Sequence, residues 1–143
     1  MSFENNSSII VELMNCYCET GKEFEKCCQP FIEGVAKPLT ALELMRSRYT
    51  AYVIVAVEYI LRSTHPSSRR FYNAEDIEQW SKSSHWQKLE IVSTSEGSPK
   101  DKKGIVEFKA YYTDAEGNQQ IHQEKSNFRK ELGKWFFVDG KVF

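Results

Sequence analysis

Residues 16–28 read CYCETGKEFEKCC and contain all four cysteines of the 143-residue chain. The cysteines form two short pairs joined by a loop of eight residues. Within that loop, Gly21 can adopt the positive φ with which a chain turns back. Two such pairs can hold four sulfur ligands at the corners of a tetrahedron, the arrangement of a closed structural Zn²⁺ site. The spacing therefore predicts one zinc ion bound by Cys16, Cys18, Cys27 and Cys28.

Disulfide bonds and unliganded thiols are the alternatives to a metal site. A bond between the adjacent residues Cys27 and Cys28 would be strained, because neighbouring Cα atoms lie only about 3.8 Å apart. A redox pair would more usually have the spacing Cys-x-x-Cys, which this sequence lacks. Crossed disulfides in oxidised material and four buried free thiols stay open as alternatives, and zinc is the interpretation that we favour.

The apolar segments of the sequence are short. The longest uninterrupted run, from Ala51 to Val57, is well below the roughly 20 residues that span a bilayer. The first six residues carry no basic group before the apolar stretch that follows, so we expect no signal peptide. We therefore expect a cytoplasmic protein with no membrane partner, and in a reducing compartment clustered cysteines indicate metal ligands before disulfides.

Charge is distributed unevenly along the chain. Residues 1–36 carry six Glu against two Lys, a net charge of −4, whereas residues 37–70 have a net charge of +4. The whole chain has a formal net charge of −1, so no overall field favours nucleic acid or an anionic membrane. We interpret the contrast as two solvated faces and expect no nucleic-acid partner. The alternative is a basic patch that contains Arg46, Arg48, Arg62, Arg69 and Arg70.

A long amphipathic helix is predicted after the cysteines. Thr40 and Glu43 have the spacing of a capping box, so the helix begins near residue 40. Apolar side chains then recur at steps of three and four, which is typical of a helix that packs against a core. These side chains are Leu42, Met45, Tyr49, Tyr52 and Ala56.

Two shorter helices are expected next. The β-branched run at residues 53–55 weakens helix propensity, so we expect a break near Val55. A second helix then ends before His65-Pro66, because the residue before a proline disfavours helical backbone. Asn73 can cap a third helix, from Ala74 to about residue 82.

From residue 89 onward the apolar period changes to two, which indicates strands. The first strand contains Leu89 and Ile91, the second runs through residues 106–112, the third through 121–129 and the fourth through 135–138. Residues 114–118 contain Asp, Gly and Asn and turn the chain between the second and third strands. Helices followed by an antiparallel meander predict an α+β fold, with the helices on one face of the sheet.

Residues 16–28 resemble a SEC-C motif, the small zinc-binding element at the C-terminus of the translocase ATPase SecA. In that motif the fourth ligand is His or Cys, and Cys28 stands at that position here. Residues 44–52 (LMRSRYTAY), 122–128 (HQEKSNF) and 133–140 (GKWFFVDG) further resemble the bacterial YchJ family. The resemblance implies a SEC-C zinc knuckle at residues 14–34 and a cone-shaped nuclear-transport-factor-2-like domain at residues 38–143. It implies no particular activity, because the biochemical role of the family is not established.

The cysteine loop departs from the SEC-C pattern in two respects. The motif usually reads Gly-Ser-Gly after its second cysteine, whereas Glu19 and Thr20 precede Gly21 here. A glycine at the first position can relieve backbone strain, so the loop geometry at Glu19 is an open point. The motif is also commonly rich in Lys, whereas Glu outnumbers Lys in this loop. With four thiolates on Zn²⁺ the element is anionic, which argues against contacts with RNA or phospholipid.

The third strand carries polar residues that indicate a pocket. Strand alternation groups His122, Glu124 and Ser126 on one face. If that face lines the concave side of the sheet, its polar groups point toward the tyrosines of the long helix and toward Arg46 or Arg48. The candidate pocket residues are Tyr49, Tyr52, Trp86, His122, Glu124 and Ser126. The alternative is a solvated His–Glu pair on an edge strand and two tyrosines that only fill the core.

Two functions stay open at this point. The first is a non-enzymatic module, in which the zinc element contacts a partner protein and the cone binds a small ligand. The second is a small enzyme that uses His122 or Glu124 as a general base. A deep pocket with His122 pointing into it would favour the enzyme, and a filled cone with an exposed zinc element would favour the module. We expect the core of the cone to be separate from that of the zinc element.

Overall fold

The computed structural model describes residues 15–143, in which four α-helices precede four β-strands. The helices are α1 (Gln29–Ile32), α2 (Ala41–Val53), α3 (Val57–Arg62) and α4 (Ala74–Ser83). The strands are β1 (His85–Glu96), β2 (Lys103–Thr113), β3 (Gln119–Glu131) and β4 (Lys134–Val142). The residues on which the signal-peptide expectation rests, and the first residue of the predicted zinc knuckle, lie outside this range. Within it, no helix is both long and apolar enough to cross a membrane.

Helix α2 begins where the capping pattern predicts. The Thr40 side chain accepts a hydrogen bond from the backbone N–H of Glu43 at 3.0 Å. The Glu43 carboxylate accepts in return from the backbone N–H of Leu39 at 2.7 Å, one residue earlier than in a regular capping box. Asn73 caps α4 in the same manner, with its side chain accepting from the N–H of Asp76 at 3.0 Å. Both predicted helix starts are confirmed.

The predicted break at Val55 is also confirmed. Helix α2 ends at Val53, and Val55 has a φ of 62°, a left-handed conformation that a β-branched residue rarely adopts. The N–H of Ala56 donates to the carbonyl of Ala51 at 2.7 Å, which closes the end of the helix as a Schellman turn does. Helix α3 therefore leaves α2 at an angle and returns the chain toward the sheet. The short helix α1 was not expected from the sequence pattern.

The four strands form one antiparallel meander in the order β1-β2-β3-β4. Register shifts in β1 and between Asn127 and Phe128 bend the sheet, as β-bulges do. Its inner face packs against α2, where Ser126 and Phe128 of β3 are buried, whereas Ile121 and Lys125 on the opposite parity are exposed. The fold is the predicted α+β cone, with helices on one face of a curved sheet.

The cysteine element shares its core with the cone. Cys16, Cys18 and Cys28 are buried in the same hydrophobic cluster as Leu44 and Met45 of α2. The expectation of two separate cores is therefore wrong. The sequence pattern assigned the core-facing side of α2 from its large apolar residues, but a second side of the same helix is covered by the cysteine element.

Candidate functional site

The four cysteine sulfurs lie together. All four Sγ atoms are within 4.8 Å of one another, with Cys18 and Cys27 at 3.5 Å and Cys27 and Cys28 at 3.9 Å. A tetrahedral zinc ion with Zn–S bonds of about 2.3 Å requires sulfur atoms roughly 3.8 Å apart. The residues therefore fit a tetrahedral site with four thiolate ligands, and the structure brings all the predicted ligands together as a group that could bind a metal.

Backbone hydrogen bonds link each cysteine pair to the loop between them. The N–H of Cys16 donates to the carbonyl of Lys22 at 2.8 Å, and the N–H of Cys27 donates to the carbonyl of Phe24 at 3.1 Å. Thr20 sits between the pairs, with its Oγ1 3.1 Å from the Sγ of Cys27 and 3.5 Å from that of Cys18. The residue that replaces serine in the usual motif thus supplies a hydroxyl beside two of the sulfurs.

Glu19 occupies a left-handed backbone conformation, with a φ of 68°. This is the position at which the SEC-C pattern usually has its first glycine, and Gly21 in the same loop has a φ of 85°. A residue with a Cβ pays about 1–2 kcal/mol for this conformation, whereas glycine adopts it freely. The loop geometry at residue 19 is therefore left-handed even without a glycine, and Glu19 is strained.

Replacing Glu19 by Gly is expected to stabilise the metal-bound protein by up to about 1 kcal/mol, since the relieved strain is partly offset by the greater entropy of glycine in the unfolded chain. Thermal unfolding with metal present measures the change. Glu19→Gln is the matched control, because it removes the charge and keeps the Cβ. Equal melting temperatures for the two variants would attribute any gain to charge and contradict the strain argument.

The thiols perturb one another's ionisation. Hydrogen bonds from Cys18 and Cys28 hold the pKa of Cys16 far below its usual range, and the same bond to Cys16 raises the pKa of Cys28. Burial raises the pKa of Cys27 to about 11, against the hydrogen bond with Thr20. Four sulfurs this close cannot all be thiolates without a cation, so metal binding must displace protons and must weaken as the pH falls.

Helix α2 packs against the cysteine cluster and forms hydrogen bonds with it. The hydroxyl of Thr50, a residue with 0% exposure, donates to the Sγ of Cys28 at 3.4 Å and lies 3.7 Å from that of Cys16. Arg46 donates from Nη1 to the carbonyl of Cys18. Arg62 of α3 donates to the carbonyl of Ile32 at 2.9 Å, which ties α1 to the cone. Contacts of this kind orient metal ligands and tune their affinity.

A cavity of about 300 Å³ lies between α2 and the inner face of the sheet. Its lining includes every residue that the sequence analysis proposed for a pocket, namely Tyr49, Tyr52, Trp86, His122, Glu124 and Ser126. The face assigned to β3 is therefore the inner face. Their role in binding stays a prediction. Of the two arginines considered, Arg48 lines the cavity, whereas Arg46 points to the cysteine element.

Sequence reasoning missed several residues of the cavity wall. Trp80 and Phe108 were not proposed for the pocket, although both line it and Trp80 packs against His122 with ring centres 5.2 Å apart. Tyr72 and Gly140 carried no signal, because a loop tyrosine and a strand glycine fit many surroundings. Tyr72 and Trp80 reach the cavity because α4 and the loop before it pack on the inner face of the sheet, where Tyr72 contacts Phe137 and Trp80 contacts His122.

Glu124 is the centre of a short polar chain along β3. One carboxylate oxygen is 2.8 Å from the Nε2 of His122, and the other accepts from the hydroxyl of Ser126 at 2.6 Å. Burial opposes the ionisation of Glu124, but the hydrogen bonds from His122 and Ser126 outweigh it and lower its pKa. Gly140 of β4 provides the space, since a Cβ at that position would be 2.2 Å from the carboxylate.

The tyrosines of α2 keep their protons at neutral pH. Burial is the main cause that raises the pKa of both Tyr49 and Tyr52. Tyr49 packs edge-on to Trp86 with ring centres 6.1 Å apart, and the same two residues also line a groove beside Cys16. These rings therefore separate the cone cavity from the cysteine element.

Comparisons with other proteins agree with this architecture. The profile described as "YchJ, middle NTF2-like domain" matches residues 40–140. A UPF0225 protein of Geobacter sulfurreducens is 46% identical over 125 residues, which cover 87% of this chain and 77% of the relative. A UPF0225 protein of Haemophilus influenzae is 38% identical over 135 residues, which cover 94% of this chain and 82% of the relative.

Two solved structures of SEC-C motif containing proteins are also similar. The solution structure of one from Rhodopseudomonas palustris has a TM-score of 0.83 and 35% identity, and the match covers 91% of this chain and 99% of that one. The crystal structure of another, from Psychrobacter arcticus, has a TM-score of 0.77 and 32% identity, and the match covers 94% of this chain and 85% of that one.

Proposed function

The chain belongs to the YchJ-like family, whose relatives carry the name UPF0225, and on that premise we propose that it is a non-enzymatic, zinc-stabilised binding module. In this proposal one structural zinc ion fastens the SEC-C element to the NTF2-like cone, and the cone binds a small ligand. The observation that carries the proposal is the cavity of about 300 Å³, which lies between α2 and the inner face of the sheet. That volume is at the lower end of the range for small-molecule sites.

Several features support zinc as the metal. The donors are four sulfurs, which suit a soft or borderline ion, and their spacing fits a tetrahedron. With all four positions taken by protein, such a site has no open position for substrate. The ion would supply folding energy rather than catalysis. Because the site needs reduced thiols, we also propose a cytoplasmic location.

Native mass spectrometry of protein purified under reducing conditions tests the metal. We expect the mass of one zinc ion per chain, lost on denaturation in acid, because all four thiolates are required. Cys27→Ser should lower the zinc content, whereas Ser93→Ala, on the exposed part of β1, should leave it unchanged. Full-length, reduced protein without any metal would contradict the proposal.

The exposed rim of the cysteine element is the surface that we propose for a partner protein. Tyr17, Glu19 and Glu25 are exposed there, beside a site that carries a formal charge of −2 when four thiolates bind Zn²⁺. The acidic character favours a basic partner surface and argues against nucleic acid.

A small enzyme is the second candidate, and one observation favours it. His122 lies at the cavity wall, 2.8 Å from Glu124, so an imidazole and a carboxylate are both available for proton transfer. Against it, both oxygens of Glu124 already accept hydrogen bonds and its lowered pKa makes it a weak base. A co-purifying ligand that is released unchanged after incubation supports the module, and one that is converted supports the enzyme.

A further inference from the structure

Arg48 is a buried cation in the wall of the cavity. Its exposure is 8%, and its Nη1 donates to the carbonyl of Ile60 at 2.8 Å and to the hydroxyls of Ser63 and Thr64 at 2.7 and 3.2 Å. The guanidinium carbon lies 4.4 Å from the centre of the Phe137 ring. These contacts fix the guanidinium in one orientation, with one of its nitrogens held by the end of α3.

The remaining donors of Arg48 have no protein partner in the described part of the chain. Its Nε and Nη2 donate no hydrogen bond there, and no carboxylate oxygen lies within the 4.0 Å of an ion pair. Neither nitrogen is sealed from solvent, because Ser81 Oγ is the one sealed, unpaired side-chain atom in residues 15–143. Because Arg48 lines the cavity, we infer that a ligand in the cavity would meet these two N–H groups.

Glu124 does not serve as the missing partner. Its two oxygens are engaged by His122 and Ser126, and its charge acts on Arg48 only from a distance. Burying a guanidinium without an adjacent anion is costly, and burial accordingly lowers the pKa of Arg48. An anionic group on a ligand would remove that cost.

The shape and the walls of the cavity limit what this anion can be attached to. About half of the lining residues are aromatic, and among them Trp80 packs edge to face against both Tyr52 and Trp86. An apolar cavity of about 150 Å³ is large enough for benzene, so 300 Å³ leaves room for a ring with a short substituent. A doubly charged phosphate would meet stronger repulsion from the Glu124 carboxylate, which lines the same cavity, than a singly charged carboxylate would.

From this geometry we propose that the ligand is a planar aromatic carboxylate, with its ring between the aromatic walls and its two oxygens on the Nε and Nη2 of Arg48. A parallel pair of N–H donors matches the two oxygens of a carboxylate. This inference rests on the proposed function, since it names the class of ligand for the same cavity.

Three probes of similar shape but different charge test the ligand class on the wild-type, metal-bound protein. They are cinnamate, its neutral amide cinnamamide, and the cation cinnamylamine, each titrated to millimolar concentration. The indole N–H resonances report the location, because Trp80 and Trp86 line the cavity, whereas Trp135 lies outside it and donates to the carbonyl of Leu39 at 3.1 Å. We expect cinnamate to shift the first two signals and to bind at least tenfold more tightly than cinnamamide.

Two variants test separately whether Arg48 selects a carboxylate and whether the cavity is where the probes bind. Arg48→Lys keeps the charge and loses the paired donors, so a folded Arg48→Lys protein should bind cinnamate at least fivefold more weakly. Because Arg48 also anchors α3, Ala110→Leu is the second variant; it fills the cavity from β2 and should abolish binding of every probe.

A wrong ligand class and a wrong binding function of the cone would give different results. If cinnamamide or cinnamylamine binds as tightly as cinnamate, and Ala110→Leu abolishes that binding, the carboxylate class is wrong and the cone remains a binding site. If none of the three probes shifts Trp80 or Trp86, the ligand class and the binding function of the cone are both overturned.

Discussion

Removal of the proposed zinc ion is expected to unfold α2 together with the cysteine element, and not the element alone. Cys28 and Cys16 contact the buried hydroxyl of Thr50, and their side chains belong to the core that holds the helix. Metal binding contributes on the order of 10 kcal/mol in zinc-finger peptides, which is comparable with the total stability of a domain. We therefore expect chelation to lower the melting temperature by at least ~10 °C.

Hydrogen exchange followed by mass spectrometry measures the extent of the unfolding. After chelation, the backbone amides of residues 41–53 should lose protection along with those of residues 15–34. Strands β2 and β3 pair with two neighbours each and should lose protection last. Protection lost from residues 15–34 alone would mean that the two cores are energetically separate, as the sequence pattern suggested.

Thr50→Val is the matched variant for this coupling. It keeps the volume and β-branching of the side chain and removes the hydroxyl that reaches Cys28. We expect metal affinity to fall about tenfold, the usual effect of losing such a supporting contact. The effect on stability should disappear once the metal is removed, because the lost contact acts through the thiolate.

Local patterns were sufficient to predict much of this molecule. Thr40 and Asn73 mark two helix starts because an N-cap depends only on residues close in sequence. The parity of β3 follows from strand alternation, so His122 and Ser126 could be assigned to one face together. The four cysteines could be grouped because their spacing alone limits how they fold.

The rest depends on how distant segments meet. Thr50 is a polar residue within a helix and looks solvent-exposed, yet the cysteine element covers it. The sequence pattern treated α2 as a helix with one buried face and so predicted separate cores. The role of Arg48 could not be predicted for the same reason. Arg46 and Arg48 look alike in the sequence, and only the packing of the helix shows that Arg48 lines the cavity and Arg46 contacts the cysteine element.

Gly140→Ala is expected to expel the Glu124 carboxylate from its position beside the cavity. The new Cβ would be 2.2 Å from one carboxylate oxygen and 2.6 Å from the carboxyl carbon, so the side chain of Glu124 must rotate away. His122 and the fully buried Ser126 would then lose their partner. Each unsatisfied buried group costs roughly 1–3 kcal/mol, so we expect a loss of about 2–4 kcal/mol in the free energy of unfolding.

The pH dependence of this loss has a definite sign. The pKa of Glu124 is lower in the folded protein than the value of about 4.3 for an unfolded Glu. Its hydrogen bonds therefore stabilise the fold fully above that unfolded value. The stabilisation is lost as the pH falls through the lowered pKa of the folded protein. The difference in stability between wild type and Gly140→Ala should therefore be full near neutral pH and should narrow as the pH falls below the unfolded value. Urea unfolding at several pH values measures it.

A double-mutant cycle with Glu124→Ala decides whether the carboxylate is the cause. In that background the Cβ introduced by Gly140→Ala has no carboxylate to meet, and position 140 is not among the left-handed residues of the chain, so alanine is compatible with its backbone. The second substitution should then cost less than about 0.5 kcal/mol, and the coupling energy should equal most of the effect of Gly140→Ala alone. If Gly140→Ala costs as much without Glu124 as with it, the glycine is required by the strand itself. The Glu124 carboxylate would then not be the reason that position 140 has a glycine.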